Sequence, residues 1–212
     1  MTAFTLKMIA VISMAIDHCG HTLFPEIRWL RHIGRLAFPI YAFFIVEGFH
    51  RTKNAYKYLA RLSIFALISE VPFDLALRQG KWFDPASQNV FFTLALGLLM
   101  LILLDKYKDD LYLQCLVVLS VCMIADVLNT DYRWRGILVI LMFELFRFNP
   151  FMRIVSTMLI FTKIMYWTQG YASLAHIPLS MYNGKKGPDC KLFFYAFYPV
   201  HLLIIYCIAR GA

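Results

Sequence analysis

Apolar residues in this 212-residue chain gather into long runs, and charged and turn residues collect between them. Cutting the chain at those breaks predicts helical segments at 8–23, 33–46, 58–77, 90–104, 111–128, 136–146, 154–167, 171–182 and 192–208. Several apolar runs with 60% hydrophobic content read as an integral membrane protein whose solvent is largely lipid. The expected fold is all-α, a polytopic transmembrane helical bundle of about eight or nine membrane segments, several of them short or proline-broken relative to the ~20 residues a span needs. Residues 154–182 read either as two segments or as one helix broken at Gln169-Gly170, and merging them reverses the topology of everything that follows. With no internal repeat or linker, residues 1–212 read as one integral-membrane domain.

Composition agrees with that expectation: 60% of residues are hydrophobic. The formal charge of +8 raises nucleic acid as a partner, but the basic residues sit in short connections between apolar runs, where the positive-inside rule puts them. The lipid bilayer is therefore the expected partner, with no nucleic acid. With a cytoplasmic N-terminus, the inner connections hold Arg51, Lys53, Lys57, Lys106, Lys108, Arg147, Arg153, Lys185, Lys186 and Lys191, and the outer ones only Arg28, Arg31, Arg78, Lys81, Arg133 and Arg135. Trp29, Tyr56, Trp82, Trp134 and Trp167 near segment ends fit an interfacial belt. The first run has one early lysine, Lys7, and no small-residue cleavage site, so it reads as a retained helix rather than a signal peptide. Five cysteines without metal-type pairing predict neither a disulfide framework nor a metal site.

Against this apolar background the polar residues stand out. An ionisable group inside a span costs roughly 2.5–3.5 kcal/mol, which makes it a functional candidate. Asp17 and His18 close the first run side by side, with His21 one turn on. Asp17 lies near a helix C-terminus, where the dipole disfavours a negative charge, so another group must hold it. His18 reads either as a general base oriented by a carboxylate or as a histidine hydrogen-bonded at a helix end. In the assumed topology Arg35, Glu70, Asp74, Asn89, Asp126, Asp131 and His176 fall on the same side, whereas His201 lies near the middle of the last run after Pro199.

Each has a chemical and a structural reading. Arg35, in Gly34-Arg35-Leu36-Ala37-Phe38-Pro39, can fork onto an anionic substrate group or neutralise Asp17 or Glu70. Glu70 and Asp74 share a helix face beside Pro72 and need a cation, a metal or a shared proton, or structurally an ion pair to Arg35 or His18. Asn89 can donate to a developing oxyanion or cap the helix it precedes. His201 is either a site residue or a satisfied core histidine. The loop Tyr182-Asn183-Gly184-Lys185-Lys186-Gly187-Pro188 can engage phosphates of a donor molecule or anionic headgroups.

Those motifs, with Glu47-Gly48-Phe49, Asn89-Val90-Phe91-Phe92-Thr93 and Tyr198-Pro199-Val200-His201, together resemble the TraX family of bacterial membrane proteins over nearly the whole chain. After Asp131-Tyr132 the family tends to have a glycine, where this chain inserts Arg133-Trp134-Arg135 before Gly136. The resemblance implies a multi-pass inner-membrane acetyltransferase that takes the acetyl group from cytoplasmic acetyl-CoA. The acceptor it implies is a primary amine, such as a pilin-like N-terminus, at the outer face. It implies His18 as the base, Asp17 and Arg35 completing the centre, and Asn89, Arg35 or His201 stabilising the oxyanion. Glu70, Asp74, Asn183, Lys185 and Lys186 are the candidate substrate- and donor-binding residues. A proton- or cation-coupled transporter is the rival reading, since it too concentrates Asp, Glu and His in a bundle. A metal hydrolase lacks its His-Glu-x-x-His signature here.

Overall fold

Small polar residues start many of the helices. The side chains of Thr2, Asn54, Asn89, Asp110 and Asn149 each accept a hydrogen bond from a first-turn N–H that has no partner within its helix. The computed structural model describes residues 1–78, 80–165 and 167–211, without the side chains of Trp167 and Thr168. Tyr166 within the expected 154–167 segment, and the Trp167 ring expected in the interfacial belt, therefore lie outside the described residues.

In chain order the helices are α1 (Ala3–Thr22), α2 (Arg28–Gly34), α3 (Ala37–Arg51), α4 (Ala55–Leu77), α5 (Val90–Lys106), α6 (Leu111–Val127), α7 (Arg133–Leu145), α8 (Pro150–Leu159), α9 (His176–Ser180) and α10 (Lys191–Gly211). A π turn (Ile160–Ile164) and a 3-10 stretch (Trp167–Ala175) join α8 to α9, so Gln169-Gly170 falls inside 3-10 helix. Helix α5 packs against α3, α4, α6 and α7, and α1 packs against α2, α3 and α10. Leu98, Met100 and Leu101 of α5 and Ile137, Ile140 and Phe143 of α7 are buried in one core. Pro72 and Pro199 lie within α4 and α10, which continue through them, while Pro39 sits in the first turn of α3, where its missing N–H costs nothing.

The all-α class stands, but the eight or nine membrane segments do not. Only Ala3–Thr22 and Lys191–Gly211 are, among the described residues, long and apolar enough to cross a membrane. Helices α5 and α6 have 17 residues each, α3 has 15 and α7 has 13. The 23-residue α4 carries Lys57, Arg61, Glu70 and Asp74. Uniform apolarity misled because α5 owes it to burial: its inward residues, Phe91 to Ile102, face neighbours on several sides. The two functions premised on a many-span bundle, acetyl transfer from one membrane face to the other and ion-coupled transport, fall with it. The assumed sidedness fails as well. Thr157 Oγ1 donates to the Arg153 carbonyl at 2.7 Å and lies 2.7 Å from His176 Nε2, joining residues that had been assigned to opposite faces.

Two local constraints give testable consequences. Gly34 lies so close to α1 that an added Cβ would overlap the Asp17 side chain. Gly34→Ala is expected to lower the melting temperature, by about 1–3 kcal/mol of overpacking cost, whereas Gly211→Ala, with nothing near it, leaves melting unchanged. An unaltered melting temperature for Gly34→Ala would contradict this packing. Burial and the Arg153 charge push the His176 imidazole down to about 4. The unfolded chain then binds the extra proton between about 6.5 and 4, so stability is lost as pH falls through that window. His176→Phe, which keeps an aromatic ring against Phe143, is expected to flatten the fall in melting temperature between pH 7 and pH 4.5; an unchanged slope would contradict the assignment.

Candidate functional site

Adjacent helical residues point about 100° apart, and that divergence organises the end of α1. Asp17 turns toward α2 and the α2–α3 turn, where both of its carboxylate oxygens accept from Arg35 Nη2 at 2.6 Å. Arg31 Nη1 adds a longer contact at 3.3 Å, and Arg35 Nε donates to the Arg31 carbonyl at 3.1 Å. Charge neutralisation by two guanidinium groups offsets the unfavourable helix-end position of Asp17. Arg35 is thus engaged with Asp17 and not with Glu70.

His18 turns the other way, toward α10. Its Nδ1 lies 2.7 Å from His201 Nε2, and the ring planes are 7° apart with centroids at 5.0 Å, a separation that fits two imidazoles joined edge to edge. His201 Nδ1 in turn lies 2.7 Å from the Phe197 carbonyl. A carbonyl only accepts, so His201 carries its proton on Nδ1, and its Nε2 in the neutral ring is an acceptor. His18 therefore donates from Nδ1 and keeps the Nε2 lone pair free, with no protein partner for that atom among the described residues. Helix α10 supplies this acceptor one turn after Phe197, which also stacks on the His201 ring at 4.7 Å.

His18 and Asp17 line a polar cavity of about 280 Å³ together with His21, Arg31, Arg35, Arg78, Asp131 and Tyr132. Asp131 has an exposed surface where it meets the cavity, yet the surrounding protein lifts its carboxyl to about 6, desolvation outweighing the Arg35 charge. Tyr132 is held by a stack on Phe38 and by its N–H to Thr93 Oγ1 at 3.4 Å. Arg133, the next residue, takes a left-handed φ of 48°, the conformation that a glycine adopts without strain. Tyr198 stands edge-on to both His18 and His201 and lines the cavity beside Val90 of α5.

Other candidates are elsewhere. Asn89 is fully buried: Nδ2 donates to Glu70 Oε2 at 2.5 Å and to the Ala66 carbonyl at 2.8 Å, and Oδ1 caps α5 through the Phe91 N–H. No donor is left for an oxyanion. Glu70 meets Asn89 through Oε2 alone, and Asp74 Oδ2 anchors the following loop through the Asp84 N–H at 2.8 Å, which leaves Glu70 Oε1 and Asp74 Oδ1 buried without a partner. Asn183 Oδ1 accepts from the Lys185 N–H, and the Lys185 and Lys186 carbonyls cap α1 through the Ala3 and Phe4 N–H groups. Of that loop only the Lys186 side chain among the three candidates reaches a cavity, a second one. In the sequence Arg31 and Arg78 stood out only as basic residues of outer connections and Tyr198 only as part of a motif, none of them as a site candidate. Arg31, one helical turn before Arg35, and Tyr198, three residues before His201, had the spacing that would have found them. No group of three metal-type ligands converges among the described residues.

Comparison with known proteins adds the lineage. A probable fimbrial assembly protein, FimC of serogroup H1, from Dichelobacter nodosus is 29% identical over 239 residues, covering 99% of this chain and 96% of the relative. An uncharacterized protein of Rickettsia prowazekii, RP591, is 35% identical over 74 residues, 35% of this chain and 28% of that protein. No solved structure matches. The family model described as TraX protein matches residues 3–209. The family assignment implies membrane association, for which α1 and α10 have the length and composition. A match over all but the ends, on the same residues that build the histidine pair and its ion-paired support, means that the chain belongs to the TraX family.

Proposed function

We propose that this chain is an acyltransferase in which His18 Nε2 is the general base and a coenzyme A thioester is the acetyl donor. The observation that carries the reading is the hydrogen-bond relay from His18 through His201 to the Phe197 carbonyl, which leaves one basic nitrogen at a polar cavity. The thioester supplies the electrophilic acetyl carbon. His18 Nε2 takes the proton from an acceptor amine as its nitrogen attacks that carbon, and the charge gained is shared toward His201 Nε2. The Tyr198 hydroxyl, on a side chain that lines the cavity with His18, donates to the developing oxyanion in the place that Asn89 cannot fill. When the carbon–sulfur bond breaks, His18 returns the proton to the departing thiolate, leaving amide and free thiol.

His201 acts through His18 and is a positioning residue, as is the Arg35–Asp17 pair. A primary amine is the acceptor class that suits a base beside Asp131, whose carboxylate attracts the ammonium form; that group releases one proton to solvent before the neutral amine attacks and passes the second to His18. The description of the Dichelobacter relative as a probable fimbrial assembly protein supports a fimbrial subunit as the source of that amine. The reaction is proposed within one pair of cavities and involves no passage across a bilayer.

Acetyl transfer from labelled acetyl-CoA to an amine-bearing peptide, measured on purified protein, tests this. His18→Ala is expected to lose about 10²–10⁴-fold in rate; full activity in that variant would refute the base assignment. For the relay, His201→Leu is expected to lower kcat with KM unchanged, and His201→Gln, whose amide oxygen can accept from His18 Nδ1–H, to recover part of the loss. Equal losses in both variants would contradict a positioning role. Tyr198→Phe, which keeps the ring and removes the donor, is expected to cost about 10²–10³-fold in kcat; a near-normal rate would exclude it as the oxyanion donor.

A further inference from the structure

Met14, Tyr41, Val90 and Tyr198 line both the histidine cavity and a second, larger one of about 520 Å³. The second cavity gathers six cationic side chains, Lys7, Arg51, Lys53, Arg61, Lys186 and Lys191, against the single carboxylate of Glu47. Some of this charge is answered locally: Arg51 pairs with Glu47 at 2.6 Å, and Lys186 and Lys191 share Asp189. Lys7, Lys53 and Arg61 have no carboxylate partner among the described residues. Like charges crowded at one opening repel, and they create the field that draws in a polyanion.

Below the cations the walls change character. Ile45, Leu62 and Leu94 are apolar, and Phe91 and Tyr195 present aromatic faces, with Tyr195 itself stacked on Phe65 at 4.7 Å. Lys7 extends over the Phe44 and Phe194 rings at 5.0 and 5.6 Å. The cationic residues come from α1, the end of α3 and the turn after it, α4, the loop before α10 and the first residue of α10. That loop is held in place by Arg51 Nη1 donating to the Gly184 carbonyl at 2.9 Å and by its carbonyls capping α1. A ligand matching these surfaces has several phosphates at one end and a long uncharged arm at the other.

We infer that the second cavity binds the phosphate-bearing nucleotide half of a coenzyme A-type thioester, with the uncharged arm directed at the Tyr198 wall and, beyond it, His18. The inference rests on the acyl-transfer reading and adds the donor's place and the residues that hold it. It replaces the Asn183, Lys185 and Lys186 trio with a site to which Lys186 alone of the three belongs.

Calorimetric titration of the full chain in neutral detergent, with coenzyme A and with adenosine 3′,5′-bisphosphate as probes, tests the site without requiring turnover. Both probes are expected to bind the wild type. Lys53→Ala/Arg61→Ala is expected to weaken both about 10- to 100-fold through lost charge-assisted hydrogen bonds, with an unchanged melting temperature. Lys185→Ala, whose side chain is outside the cavity, is expected to bind as the wild type does. No binding by the wild type, or equal binding by the double variant, would overturn the proposal. A phosphatidylglycerol headgroup is the other source of phosphate. If nanodiscs containing that lipid abolish coenzyme A binding while phosphatidylcholine discs preserve it, the cavity is a lipid site and the proposal fails. Binding with the expected charge dependence but no acetyl transfer would leave the site standing and remove the acyl-transfer reading instead.

Discussion

The ion pair between Asp17 and Arg35 is the constraint on which the rest of the site depends. Both side chains are nearly buried, 12% and 13% exposed, so each charge needs the other. Leaving one partner of such a pair alone costs about 3–5 kcal/mol. The pair fixes the end of α1 against the α2–α3 turn, and Gly34 allows that approach by lacking a side chain. With Asp17 committed to one direction, the helical step fixes the direction of its neighbour. His18 then meets α10, and the histidine relay forms between residues 183 positions apart in the chain.

From that geometry follows a division of labour between two cavities separated by a thin wall. One is small and polar and contains the basic nitrogen; the other is larger, cationic at its opening and apolar beneath. Tyr198 belongs to the wall, meeting both histidine rings in edge contacts and lining both cavities. A transfer reaction needs two substrates to meet at one point without mixing their binding chemistry, and this arrangement supplies such a point.

How much of this was legible in the sequence depends on what each residue's environment demands. Asp17, His18, Arg35 and His201 are polar groups in apolar runs, and the structure brings them together, although Asp17 orients Arg35 rather than His18. Glu70, Asp74 and Asn89 carry the same signal, but Asn89 is spent on Glu70 Oε2 and the helix cap and Asp74 Oδ2 on a neighbouring loop, while Glu70 Oε1 and Asp74 Oδ1 stay buried without a partner; residue type alone cannot distinguish such local contacts from chemistry. The helices themselves were legible, but their surroundings were not. Apolar runs such as 90–104 look alike whether lipid or protein covers them, and α5 is covered by four other helices. The second cavity was hidden for a different reason: its cations lie as far apart as Lys7 and Lys191, and each alone reads as an ordinary connection residue.

The central claim is that the neutral histidine pair leaves its unprotonated nitrogen on His18 Nε2. Nitrogen-15 NMR of the protein labelled at the histidine rings, assigned with His18→Gln and His201→Gln variants, observes this directly. The account predicts protonated Nδ1 on both rings, with a scalar coupling between His18 Nδ1 and His201 Nε2 across their shared proton, and an unprotonated Nε2 on His18. A His18 ring protonated at Nε2 with Nδ1 bare would reverse the relay and contradict the account.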